Sequence, residues 1–137
     1  MLVRRRKARK GRRKNEEPKK GDDLRERTKA FALRVIRLFS SLPKTTESHV
    51  LGKQLLRSGT SVGANYREAY RARSKSEFVA KCGDSLRELE ESGYWLELLV
   101  DGGLVAADKL QPLRTECDEL IAIFVTIIKQ ARDRPPS

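Results

Sequence analysis

The residues with the plainest chemistry are the Lys and Arg of the opening segment, MLVRRRKARKGRRKNEEPKK. It holds eleven of the chain's thirty basic residues and only two of its nineteen acidic ones. That segment carries about +9 of the formal +11, and residues 21–137 are nearly balanced, with 19 basic against 17 acidic. A basic arm on a near-neutral body points to a polyanionic partner, because each cation that neutralises a phosphate releases condensed counterions. Arg4, Arg5, Arg6, Lys7, Arg9, Lys10, Arg12, Arg13 and Lys14 are the candidate phosphate contacts. Two other readings compete. Polybasic arms also meet anionic lipid, but Leu2 and Val3 supply neither an anchor nor an apolar face. A purely solubilising extension, such as one read from an upstream start codon, would contact nothing.

A second charged region lies inside the body. Residues 53–81 hold seven basic and two acidic side chains, whereas residues 82–119 hold three basic and ten acidic. Arg67, Arg71 and Arg73, beside Tyr66 and Tyr70, could extend the polyanion site with stacking partners. Opposed charge could instead dock copies head to tail, which closes into a ring when the rotation permits, or form an ordinary solvated face. Ser58 and Asn65 fall on an apolar seam, where an unpartnered polar group costs roughly 1–3 kcal/mol. Glu88 and Glu91 are their candidate acceptors, in a buried polar network that fixes helix register as a polar seam residue does in a coiled coil. A pocket is the alternative, but no nucleophile–base pair stands out. Tyr94-Trp95 reads either as an oligomer interface or as a cover over the core beside Leu98 and Leu99.

Catalytic chemistry finds little footing. His49 is the single histidine, placed in an exposed opening turn, and no Glu-x-x-His pair suggests a di-iron bundle. The Gly59 to Gly63 spacing lacks the Lys-Ser/Thr that completes a phosphate loop. Cys82 and Cys117 stand alone, without zinc spacing. No catalytic residue, metal or cofactor is expected.

The elements that must position these groups are helical. Aromatics make up 6% of the chain and strand signals are absent, which argues against a β-sandwich. The first helix is expected over about Asp22 to Ser41, capped by Asp22 or Asp23, with Leu24, Thr28, Phe31, Val35, Leu38 and Leu42 as its stripe and Pro43 ending it. The second runs from about Thr46 to Arg73 along Leu51, Leu55, Ser58, Val62, Asn65, Ala69 and Ala72. Its three-and-four step passes straight through Ser58–Gly63, so one long helix is expected, closely approached by a neighbour at the glycines and at risk of a kink.

Ser74-Lys75-Ser76-Glu77 has capping-box spacing and opens the third helix, with Phe78, Cys82, Leu86, Leu89, Gly93, Leu96 and Val100 as its stripe and Gly102-Gly103 as its stop. The fourth follows Leu110, Leu113, Cys117, Leu120, Phe124, Ile127 and Ala131. Short turns between four helices make an all-α, up-down-up-down antiparallel four-helix bundle over residues 22–134. Residues 1–21, self-repelling and broken by Gly11, Pro18 and Gly21, are expected to be a disordered basic tail. Without a membrane-length apolar run or a signal-peptide core, the expected location is cytoplasmic.

Gln54-Leu55-Leu56-Arg57-Ser58, followed by Ser61-Val62-Gly63-Ala64-Asn65-Tyr66-Arg67-Glu68-Ala69, resembles the core of the four-helix-bundle proteins associated with intervening sequences in bacterial 23S ribosomal RNA genes. Glu77-Phe78, Leu86-Arg87-Glu88-Leu89-Glu90-Glu91-Ser92 and Tyr94-Trp95-Leu96-Glu97-Leu98-Leu99 continue the likeness, which covers about residues 24–132. Gly59 stands where alanine is usual, Tyr66 where an aliphatic residue is usual, and the basic extension is foreign to the pattern.

The family is similar to the accessory variability protein of diversity-generating retroelements. The resemblance therefore implies a ring-like homo-oligomer, by analogy a homopentamer, that binds RNA or DNA through a positive surface. It also implies a reverse transcriptase, or another nucleic-acid enzyme, as a protein partner. The expected function is non-enzymatic, largely sequence-independent nucleic-acid binding, with a protein-binding scaffold as the competing class.

Overall fold

The computed structural model describes residues 20–135. Four helices follow in order: α1 (Lys20–Ser41), α2 (Thr46–Tyr70), α3 (Lys75–Asp101) and α4 (Ala107–Asp133). They form an antiparallel four-helix bundle, and no strand occurs among the described residues. α1 opens at Lys20, two residues before the expected start, and α2 stops at Tyr70, three residues before the expected end. The expected tail of residues 1–21 lies outside the described residues, apart from the helical backbone of its last two. No helix among the described residues is long and apolar enough to cross a membrane.

The helix ends follow local chemistry. Thr45 caps α2 by accepting from the Ser48 amide at 3.2 Å, and Ser74 caps α3 by accepting from the Glu77 amide at 3.1 Å. The Glu77 carboxylate turns back onto the amide of Arg73 at 3.1 Å, so the reciprocal arm of the capping box closes one residue before the cap. α3 ends in a Schellman motif. Gly103 takes a φ of 75°, its amide donates to Val100 O at 3.0 Å, and the Leu104 amide donates to Leu99 O at 3.0 Å.

α2 passes unbroken through Ser58–Gly63, as its periodicity requires. The reason is the close approach of α1. A Cβ on Gly59 would stand 2.9 Å from Val35 Cγ2, and one on Gly63 would stand 3.1 Å from Thr28 Oγ1. The glycines thus exchange about 1 kcal/mol of helix propensity each for backbone-level packing against α1. On its other flank α2 meets α3 through small hydroxyls. Ser58 and Ser92 share a hydrogen bond of 2.8 Å, and Ser85 donates to Val62 O at 2.8 Å.

That contact rotates α3 from its expected stripe. Ser85, Ser92 and Leu99 are buried, while Leu86, Gly93 and Val100 are only half-buried. The core proper is filled by Phe31, Val35, Leu55, Leu89, Leu96, Leu120 and Phe124, all fully buried. Each such side chain contributes about 1.5–3 kcal/mol of burial.

Between α1 and α4 the joint is polar at its rim. The Arg27 guanidinium forks onto Glu116, through Nη2 at 2.7 Å and Nε at 3.1 Å, and reaches Glu119 at 3.1 Å. The hydrogen bond to Glu116, against the desolvation of partial burial, holds the Arg27 pKa above its ordinary value. Across α3 and α4, the Cys117 thiol donates to Leu89 O at 3.3 Å.

Candidate nucleic-acid interface

The antiparallel order brings the start of α1, the end of α2, the start of α3 and the end of α4 to one end of the bundle. The contacts fix this: the Arg25 guanidinium lies 4.6 Å from the centroid of the Tyr70 ring, and Lys75 Nζ donates to Arg134 O at 2.8 Å and Arg132 O at 3.4 Å. Lys75 thereby places an ammonium on the carbonyls that close α4, where the helix dipole is negative.

Arg67, Arg71 and Arg73 are exposed here and make no ion pair among the described residues. The structure adds Arg132 from the last turn of α4 and Arg134 just after it, also exposed. The chain enters α1 at Lys20. The basic opening segment is therefore covalently joined to this same end. Its candidate residues, Arg4 to Lys14, lie outside the described residues.

Two of the other cations among residues 53–81 are spent internally. Arg57 pairs with Glu91, and with Glu88 at 3.4 Å. Lys81 pairs with Glu68 at 2.7 Å, whose hydrogen bond raises the lysine pKa. Charge is thus separated along the bundle axis more than from side to side. The acids from Glu88 to Asp101 and from Asp108 to Glu119 lie in the half of α3 and α4 away from the arginine-rich end.

An open cleft of about 1260 Å³ lies at the arginine-rich end, between α2, α3 and α4. Tyr66, Tyr70, Phe78, Val79, Ile127 and Ala131 form its apolar lining, with Lys75, Arg132 and Arg134 as its charged groups. Tyr66 differs from its expected role. It is only 4% exposed and packs edge-on against Phe124, with centroids 5.6 Å apart, so it belongs to the core. A large ring four residues after Val62 and three before Ala69 completes the buried face that the sequence reading gave to Asn65. Asn65 itself is half-buried. Tyr70 is 44% exposed.

The other polar candidates separate into two groups. Ser58 is buried with Ser92, whose hydroxyl donates to the main-chain oxygen of Glu88 at 2.9 Å. The carboxylates of Glu88 and Glu91 face outward onto Arg57 rather than inward onto Ser58. Tyr94 is 52% exposed, its ring 5.2 Å from the half-buried Trp95. The Trp95 indole N–H is buried without an acceptor among the described residues. His49 is exposed against Phe39, and no cluster of metal-ligating side chains occurs among the described residues.

Residues 22–126 match the model of the 23S rRNA-intervening sequence protein family. The chain belongs to that family. A solved structure agrees: a protein of unknown function from the S23 ribosomal protein family of Bacteroides thetaiotaomicron is 34% identical. It superposes with a TM-score of 0.76, covering 81% of this chain and 99% of that one. No curated protein matches the sequence. The match covers the four helices up to the last two turns of α4, so Arg132 and Arg134 fall beyond it, as does the basic opening segment.

Proposed function

We propose that the protein is a non-enzymatic nucleic-acid-binding bundle that holds RNA or DNA through phosphate contacts with little sequence preference. One observation carries this reading: exposed arginines from α2, the α2–α3 turn and α4 converge on the end to which the basic segment is attached. Clustered cations without carboxylate partners keep their charge available for phosphate. Arg4, Arg5, Arg6, Lys7, Arg9, Lys10, Arg12, Arg13 and Lys14 supply most of the affinity, and Arg67, Arg71 and Arg73 the rest.

In this reading the bundle works as a ring-like homo-oligomer, a pentamer by analogy with the family's relatives. Several arms on one platform then sum weak contacts into avidity. Exposed Tyr94 beside Trp95 is the candidate subunit contact.

Titration of labelled RNA and DNA across a salt series tests the binding claim. Affinity should fall steeply, with a log–log slope of about −0.7 to −0.9 per phosphate contacted. Absence of binding at low salt would overturn it. Light scattering that finds a monomer at micromolar concentration would remove the ring. The competing scaffold reading, in which the bundle recruits a nucleic-acid enzyme such as a reverse transcriptase, is favoured by the exposed ring of Tyr94 beside half-buried Trp95. A stoichiometric protein partner that survives nuclease treatment would support it.

A further inference from the structure

The cleft at the arginine-rich end combines two features that phosphate binding alone does not need. Its lining contains three cations, Lys75, Arg132 and Arg134, and no carboxylate. Beneath them lies an apolar floor that is half-buried at Phe78, Val79, Ile127 and Ala131, with the ring of Tyr70 44% exposed at its edge. A duplex presents phosphates and hides its base faces. An unpaired strand presents both, and proteins that hold single strands pair a cationic track with aromatic surfaces on which bases stack.

We propose that this cleft is a stacking site for unpaired bases of single-stranded nucleic acid, with Lys75, Arg132 and Arg134 holding the adjoining phosphates. The inference rests on the nucleic-acid reading above and specifies the form of the polymer. At about 1260 Å³, the cleft exceeds the roughly 300–1,000 Å³ that holds a drug-sized ligand, leaving room for more than one base.

The surroundings fix the stacking surface. Tyr66, buried against Phe124, anchors the last full turn of α2, and Tyr70 stands one turn on, its centroid 6.3 Å away. The Arg25 guanidinium lies over the Tyr70 ring, an arrangement that holds the ring and sets a cation beside it. Lys75 uses donors on the carbonyls of Arg132 and Arg134, tying the rim together across α3 and α4. An ammonium has three donors, so one remains for a phosphate oxygen. The C-terminal dipoles of α2 and α4 oppose an anion here, and Lys75 with the two arginines outweighs them at contact range.

Fluorescence anisotropy on the full chain tests the proposal, using oligo(U) and oligo(dT) of about 16 nucleotides and a duplex with the same number of phosphates. The strands should bind more tightly than the duplex. Tyr70→Ala should weaken strand binding about tenfold more than duplex binding, the loss of one stacked base, and Tyr70→Phe should restore it. Photo-cross-linking with 4-thiouridine gives an independent readout and should mark the peptides that carry Tyr70 and Phe78. Equal strand and duplex affinities, with Tyr70→Ala indistinguishable from wild type, would remove the stacking site and leave phosphate binding intact. Cross-links confined to residues 1–19 would also overturn it. Failure of both strand and duplex to bind at low salt would remove this proposal together with the reading it rests on.

Discussion

At the end where the chain enters α1, the bundle exposes Arg67, Arg71, Arg73, Arg132 and Arg134 around an open cleft with an apolar floor. At the opposite end the chain is closed off. Pro43 and the Thr45 cap turn α1 into α2, and the Schellman motif at Gly103 turns α3 into α4. There Lys44, Lys53 and Lys109 are interspersed with Glu47, Asp101 and Asp108. The same four helices thus supply one end whose local chemistry is satisfied by closure and one where Arg67, Arg71, Arg73, Arg132 and Arg134 make no ion pair among the described residues. Stability and binding should therefore separate along the bundle axis, with binding at the entry end and stability in the seams and the far turn.

The largest effect that would break this comparison is on affinity. Reversing Arg71, Arg73 and Arg132 to Glu should lower RNA affinity at least about 100-fold at low salt and flatten the salt slope by about 2. Reversing Lys44, Lys53 and Lys109 should change affinity only a few-fold. Equal losses would assign binding to overall charge rather than to an end.

Next in size is the α1–α2 seam. Gly59→Ala gains helix propensity but drives a methyl to 2.9 Å from the stiff, β-branched Val35. It should cost about 1–3 kcal/mol in urea unfolding, and Val35→Ala in the same chain should recover part of that. Gly52→Ala, whose Cβ meets Leu42 Cδ1 at 2.7 Å and the Phe39 ring at 2.9 Å, should cost a similar amount. At the far turn, Gly103→Ala should cost about 1 kcal/mol, because φ is 75° there, and leave RNA binding unchanged.

The smallest effect is a pH dependence. Burial pushes the Cys82 thiol up to about 11 and the Cys117 thiol up to about 12 from 9.0. Both folded values lie above the unfolded one, so their stabilisation is fully present below pH 9 and is lost as pH rises towards 11–12. The melting temperature of wild type should fall more steeply above pH 9 than that of a Cys82→Ala/Cys117→Ala double variant.

Much of the fold was legible because periodicity reports burial directly. The step of three and four through Ser58–Gly63 identified α2 as one helix despite its glycines, and Ser74 with Glu77 marked the start of α3. What periodicity could not resolve was which of two adjacent positions faces inward. Asn65 and Tyr66 both sit within reach of the α2 seam, and so do Ser92 and Gly93 on α3. The choice was made by the neighbouring helix, which favoured the larger ring in one case and the hydroxyl that meets Ser58 in the other.

The site was half legible. Arg67, Arg71 and Arg73 are a local run and could be seen. Arg132 and Arg134 lie some sixty residues further on and join them only through the antiparallel closure of α4, as the hydrogen bonds from Lys75 show. The up-down-up-down topology already implied that α2 and α4 end together. Charge read along the chain rather than along the bundle concealed it.

The measurement that reaches the central claim most directly is RNA affinity across a salt series for three full-length proteins: wild type, the entry-end reversal and the far-end reversal. The account expects a steep slope for wild type and the far-end variant, with affinity at least about 100-fold lower and a slope flatter by about 2 for the entry-end variant. A wild type that fails to bind at low salt, or an entry-end variant that binds like wild type, would contradict it.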